Sequence, residues 1–315
     1  MTAPDDPCDA PDTAGDPEQA AKLADLRAGH PSRPDYRPAP QAREAEYADH
    51  LTAVEEALRD ARDRSQVTWV LHSVDGDGEV WTAERREEHD KIINDLYAAA
   101  AGVPCDGTAI IIGGLPGAGK TTVLREHLGA DQPGWLVINP DTIKHELAAR
   151  DLVPGIEPVT PMEATELAHE ESSHIAKRLA VRAMAEHKNV VWDITLASGR
   201  SAAERIDQLR DAGYRRVDGI FVDVPVETSM ERTAERHRKG DDEYRTTGAG
   251  LGGRLILDNV IAAQADERWG STNRRSFEQL KDRFDAWYFY DNSGAAAVLK
   301  DQFPARADAD EELRR

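Results

Sequence analysis

The feature that most constrains this chain is the stretch Thr108 to Thr122, TAIIIGGLPGAGKTT. An apolar run, Ala109-Ile110-Ile111-Ile112, ends in glycines, followed by Gly114, four residues, Gly119, Lys120 and Thr121. This spacing fits G-x-x-x-x-G-K-[ST], a loop between a buried strand and a new helix. Glycines let consecutive N–H groups turn inward on an anion, and the helix adds its positive end at the same point. Gly114, Pro116, Gly117, Ala118, Gly119, Lys120, Thr121 and Thr122 therefore read as a phosphate cradle. Lys120 is placed to reach β- and γ-phosphates, and Thr121 to hold Mg²⁺.

A strand–loop–helix of this kind needs a sheet around it. After the loop, strand-like runs (135–138, 190–194, 219–224, 287–290) alternate with helix-like segments (121–128, 140–149, 162–187, 199–212, 225–238, 254–269, 295–302). Such alternation implies an α/β, P-loop NTPase-type three-layer fold, with a mostly parallel sheet and helices on both faces. Residues 105–304 form this domain. Residues 43–104 form an N-terminal helical and hairpin extension. Tyr47, Leu51, Val54 and Leu58 recur at helical spacing on a charged background, so 43–64 is an amphipathic helix, packed on the body or docking a partner. Val67–Val70 and Glu79–Trp81 flank an Asp-Gly pair repeat and read as a hairpin. Thr82 caps a helix to about Ala101, stopped by Gly102 and Pro104. Residues 1–42 are a disordered acidic tail: the first 40 hold 8 of the chain's 17 prolines and few apolar residues. Residues 305–315 are a charged C-terminal tail.

Ligands of such sheets sit at the carboxyl ends of the strands, and three strand ends carry acids: Asp141, Asp193 and Asp223. One such acid can orient Mg²⁺ and another can accept a proton from an attacking hydroxyl. Asp141 also stands where an N-cap would. Asp193, inside an apolar strand, needs a cation or an ion pair. Asp223 has an equal structural reading. Residues 239–253 hold five glycines and read as a mobile loop, with Arg232, Arg236 and Arg238 before it, Arg245 in it and Arg254 after it. Arginines closing on a moving phosphoryl group stabilise its charge, so this segment reads as a lid. Glu170, His174 and Thr195 are candidate substrate contacts, with packing or turn formation the alternative.

The 315 residues carry a net charge of -20, which argues against nucleic-acid or anionic-membrane partners. No apolar run reaches the ~18 residues of a membrane helix. Two distant cysteines, Cys8 and Cys105, imply no disulfide framework, and a cytoplasmic location is expected.

GGLPGAGKTT, VINPDTIK around Asp141, VVWDIT around Asp193 and Gly253-Arg254 together resemble the zeta-toxin family of P-loop kinases, over roughly residues 105–270. The resemblance implies ATP- and Mg²⁺-dependent phosphorylation of UDP-N-acetylglucosamine. It implies that Lys120 is the P-loop lysine and Thr121 the Mg²⁺ hydroxyl. Asp141 would be the acid that deprotonates the sugar, and Arg236 and Arg254 the grip on the transferred phosphate. Asp193 stands where the family often has glutamate, one methylene longer. The resemblance further implies an antitoxin partner; the helix 43–64 could serve that role in cis. A kinase of another acceptor (a nucleoside, an antibiotic, a cofactor) shares these motifs. A nucleotide-dependent binding switch is the other class, although the N-K-x-D motif of guanine switches is missing.

Overall fold

The computed structural model describes residues 41–75 and 80–304. Residues 1–40 of the expected tail 1–42, the tail 305–315 and most of the Asp-Gly turn lie outside them, and residues 41–42 are helical. Six strands form one sheet: β1 (Thr108–Gly113), β2 (Leu136–Ile138), β3 (Val190–Asp193), β4 (Arg216–Asp223), β7 (Trp287–Asp291) and β8 (Val298–Phe303). Their order is β2-β3-β1-β4-β7-β8. Every pair is parallel except β7–β8. β5 (Ala265–Asp266) and β6 (Gly270–Ser271) make a separate antiparallel pair.

The apolar run of β1 is continuous because both its faces are buried. Ala109 and Ile111 point into one core with Ile143, Ile175 and Phe277, and Ile110 and Ile112 into the other with Val123, Val222 and Met230. The first face is covered by α3 (Ala83–Ala99), α5 (Pro140–Ala149), α7 (His169–Ala185), α8 (Gly199–Asp211) and α11 (Thr272–Leu280). The second is covered by α4 (Lys120–Leu128) and the start of α9 (Val226–Thr247).

The extension is built into this body. The first helix, α1 (Gln41–Asp63), buries Val54, Leu58 and Ala61 against Leu167 and Leu255. Thr82 caps α3, accepting from the Arg85 N–H. Arg85 and His89 of α3 then reach the buried carboxylate of Glu171 on α7.

Five local expectations are corrected. Val67–Val70 is not a strand: Val67 precedes α2 (Thr68–His72) and Thr68–Val70 open it, and among the described residues the bridge Ser73–Trp81 is what forms of the hairpin. The expected helix 162–187 is broken into α6 (Pro161–Ala164), a 3-10 turn (Thr165–Ala168) and α7. Helix α9 runs through Gly240 to Thr247, so the loop is shorter than expected and Arg245 lies on the helix. Arg254 lies in extended chain, and only α10 (Asp258–Ala262) of the helix 254–269 forms. Finally, 298–303 is a strand: β7 offers a free edge, and backbone pairing there outweighs helix propensity.

Candidate active site

The carboxyl ends of β1, β2 and β3 converge, because the three strands are adjacent and parallel. The loop after β1 enters α4 through Gly119, whose φ of 86° is left-handed, a conformation that favours glycine. A Cβ there would lie 2.4 Å from Asn292 Nδ2. That amide donates to Ala118 O at 2.7 Å and braces the loop from outside. Lys120 Nζ lies over the loop, donating to Gly114 O at 3.2 Å, and stands 3.6 Å from Asp193 Oδ1. Thr121 and Thr122 are exposed on the first turn of α4.

Asp193 is 7 % exposed at the end of β3. Burial raises its pKa, and Lys120 pulls the other way. Asn139 Nδ2 donates to its second oxygen at 2.9 Å. The other end of that amide, Oδ1, accepts from Asp141 N at 2.8 Å and caps α5. The cap is therefore Asn139, and the Asp141 carboxylate is left for other contacts. It pairs with Arg254. Arg236 stands at the exposed rim of the same site. Crowding by protein atoms, and then the like charge of Arg254, lower its guanidinium pKa, while Asp141 opposes them.

Gly253 sets the position of Arg254. A Cβ on Gly253 would fall 2.0 Å from His237 O of α9, so the chain passes at backbone contact and delivers the arginine to Asp141. The end of the segment expected as a mobile loop is thus a tightly packed crossing.

The sequence model of the family described as zeta toxin matches residues 105–301, more than half of the chain. The chain belongs to the zeta toxin family. Two solved structures agree in fold. The AvrRxo1-ORF1:AvrRxo1-ORF2 complex with sulphate ions is 17% identical, with 75% of this chain and 74% of that one covered and a TM-score of 0.53. The AvrRxo1-ORF1:-ORF2 structure with ATP is 19% identical, covering 74% and 73%, with a TM-score of 0.51. A chain from the PezAT chromosomal toxin-antitoxin system of Streptococcus pneumoniae is 19% identical, covering 74% and 87%, at 0.48. No curated protein matches in sequence.

In this zeta toxin family member the other candidates separate. Arg232 donates to Asn292 O at 2.9 Å, so it supports the loop's brace. Arg238 stacks over Tyr47 of α1 at 4.5 Å, and Arg245 pairs with Asp241 at 2.8 Å. Asp223 pairs with Arg274 at 3.0 Å, and burial pushes its carboxyl up to about 6 against that pull. Thr195 forms a turn: its hydroxyl accepts from Ala197 N, and its carbonyl holds Gly114 N at 3.2 Å. His174 packs between Trp81 and His89, with ring centroids 5.6 and 5.8 Å away. Burial, followed by the charges of His89 and Arg178, lowers its pKa to about 4. In this fold it packs against those two rings. Glu170 is exposed on the first turn of α7.

Sequence reading passed over the residues that connect the site. Asn139 is one: it joins Asp141 to Asp193, and its signal was the Asn-Pro-Asp cap sequence. Glu166 and Lys144 are the others. They pair at 2.7 Å, and Arg254 and His169 add to the positive field that holds the Glu166 pKa down against burial. Nothing in local spacing links positions 144, 166 and 254. Among the described residues no helix is long and apolar enough to cross a membrane.

Proposed function

We propose that this protein transfers the γ-phosphoryl group of ATP to a hydroxyl of a small molecule, of the nucleotide-sugar class typified by UDP-N-acetylglucosamine. The observation that carries the reading is Asp141. Its helix is capped by Asn139, and its carboxylate faces Arg254 beside the loop of Lys120. A carboxylate so placed accepts the proton of an attacking hydroxyl. The acceptor oxygen forms a bond to the γ-phosphorus, the bond from that phosphorus to the β-bridging oxygen breaks, and ADP leaves with the electron pair. Lys120 and the loop amides hold the phosphates. Arg254 and Arg236 meet the charge spread over the transferring group.

The exposed Thr121 hydroxyl and the buried Asp193 carboxylate, whose raised pKa marks a charge short of compensation, fit a Mg²⁺ ion. Bound there, Mg²⁺ would neutralise charge on the β- and γ-oxygens. The ATP-containing AvrRxo1-ORF1:-ORF2 structure, which shares the fold, supports the nucleotide assignment. Family membership supports a protein partner of antitoxin type and a cytoplasmic setting, where ATP is supplied.

The test incubates the protein with labelled ATP, Mg²⁺ and a panel of nucleotide sugars, nucleosides and other hydroxyl acceptors. A labelled nucleotide sugar, formed by the wild type and not by Asp141→Asn, is the expected result. No labelled product from any acceptor would overturn the phosphotransfer reading.

A further inference from the structure

Away from the phosphate loop, three segments distant in sequence bring one buried cluster together. His50 comes from α1, Glu163 from α6 and Asp241 from α9. All three are at least nine-tenths buried, at 8 %, 0 % and 3 % exposure. His50 Nε2 lies 2.9 Å from Glu163 Oε1 and 3.5 Å from Asp241 Oδ1. One nitrogen and one oxygen from each acid lie within 4.8 Å of one another. We propose that these three side chains bind one divalent transition-metal ion, of the zinc class, which clasps the N-terminal helix to α9.

Hydrogen bonds serve the two acids unequally: Glu163 takes His50 Nε2, His237 Nε2 and Thr160 N, and Asp241 has Arg245. A neutral imidazole Nε2 carries one proton or one lone pair, so it can serve one carboxylate and not both. Two buried carboxylates carry two negative charges. Arg245, its side chain half-exposed, meets Asp241, and His50 Nε2 stands 3.5 Å from the same acid. Bringing two acids together in a buried place is costly. A dication takes the Nε2 lone pair and one oxygen of each acid. Bonds of about 2.0–2.2 Å in tetrahedral geometry put ligand atoms roughly 3.3–3.6 Å apart; His50 Nε2 lies 2.9 and 3.5 Å from the two acids, with all three ligand atoms within 4.8 Å. One imidazole with two carboxylates suits Zn²⁺, Mn²⁺ or Fe²⁺; Ca²⁺ wants six or more oxygens.

The supporting groups are arranged as such ions need. The second oxygen of Glu163 accepts from Thr160 N at 2.7 Å. Arg245 Nε lies 2.9 Å from Asp241 Oδ1 and 2.8 Å from Oδ2, so it holds both oxygens of that acid, while Glu163 turns Oε1 toward the cluster. His237 Nε2 lies 2.8 Å from Glu163 Oε1 and Tyr47 O–H lies 2.6 Å from His237 Nδ1. Since the carboxylate only accepts, Nε2 donates and Nδ1 takes the tyrosine hydrogen. That pins the His237 ring as an outer partner.

The clasp bears on the candidate active site without depending on its chemistry. Arg236 directly precedes His237 on α9, and Leu255, next to Arg254, packs under α1. An ion at this point would hold both arginine-bearing segments against one helix.

The test strips the full-length protein with a chelator. It then titrates Zn²⁺ by calorimetry and Co²⁺ by visible absorption, with Mg²⁺ in excess to occupy the phosphate site. One ion per chain is expected, with Co²⁺ bands of a nitrogen–oxygen site and a melting temperature that climbs with Zn²⁺. His50→Gln and Asp241→Asn should weaken Zn²⁺ by at least the ~10–100-fold that losing a supporting group costs. Asp193→Asn should bind as wild type. No uptake by the wild type would overturn the proposal, whatever becomes of the variants, leaving a hydrogen-bonded cluster. So would uptake lost in Asp193→Asn but kept in the other two.

Discussion

Replacing Glu171 by glutamine asks whether the N-terminal extension is structurally part of the catalytic body. Glu171 is fully buried on α7. Its carboxylate takes Arg85 Nε at 2.6 Å, Arg85 Nη2 at 2.8 Å and His89 Nε2 at 2.6 Å, all from α3. Burial pushes its pKa up, but the hydrogen bonds of His89 and Arg85 overcome that and hold it at about 2, against 4.5. That depression corresponds to roughly 3 kcal/mol. The pKa is depressed, so this stabilisation is present above about pH 4.5 and is lost as pH falls toward 2. Glutamine also leaves Arg85 buried without its anion, and breaking a buried pair costs about 3–5 kcal/mol. The two estimates agree, and the melting temperature should fall on the order of 10 °C. Urea denaturation at pH 7, followed by tryptophan fluorescence, reads the loss directly. The gap between variant and wild type should close as pH is lowered from 5 to 2. A companion variant, Arg85→Met with Glu171→Leu, should recover most of the loss, because it removes both charges together. Glu171→Gln matching wild type within about 0.5 kcal/mol would refute the reasoning. A double variant as unstable as the single would do the same.

Asp141→Asn should lower turnover about 10²–10⁴-fold and leave ATP affinity unchanged, read by single-turnover assay and calorimetry. Arg254→Lys keeps the charge but loses the planar fork, and should cost about 10²-fold in turnover with little change in stability. Gly119→Ala should lose ATP binding in a calorimetric titration: its left-handed φ costs about 1–2 kcal/mol, and its Cβ displaces Asn292. The folded pKa of Asp223 is raised to about 6, so the native state holds its proton more tightly than the unfolded chain. Stability should therefore rise as pH falls from 6 toward 4, by at most about 3 kcal/mol. Chemical denaturation across that range should show the slope in wild type and not in Asp223→Asn.

The boundary expected at residue 105 separates two patterns of sequence, but the packing runs straight through it. The family match also begins there, at 105, while α1 and α3 are bonded to α7 and α9. Helix 43–64 was legible as amphipathic from its own spacing. What its face meets, Leu167 and Leu255, was not, because those partners lie more than a hundred residues away. The arginines show the same division. Five were candidates for one role. The fold sends Arg236 and Arg254 to Asp141, Arg232 to Asn292, Arg238 to Tyr47 and Arg245 to Asp241.

Short-range chemistry was enough for the phosphate loop. Its glycines, lysine and threonine act within nine residues, and the strand and helix that flank it are set by the same stretch. It was enough, too, for the parallel sheet, since runs apolar on both faces have few other places to go. That the Asp141 carboxylate is left for other contacts depended on Asn139, which caps α5 and meets Asp193 on the neighbouring strand. Where Arg254 points depended on Gly253 lying against His237. These are contacts between groups that the chain holds far apart and only folding brings within hydrogen-bond reach, and no local pattern encodes their distance.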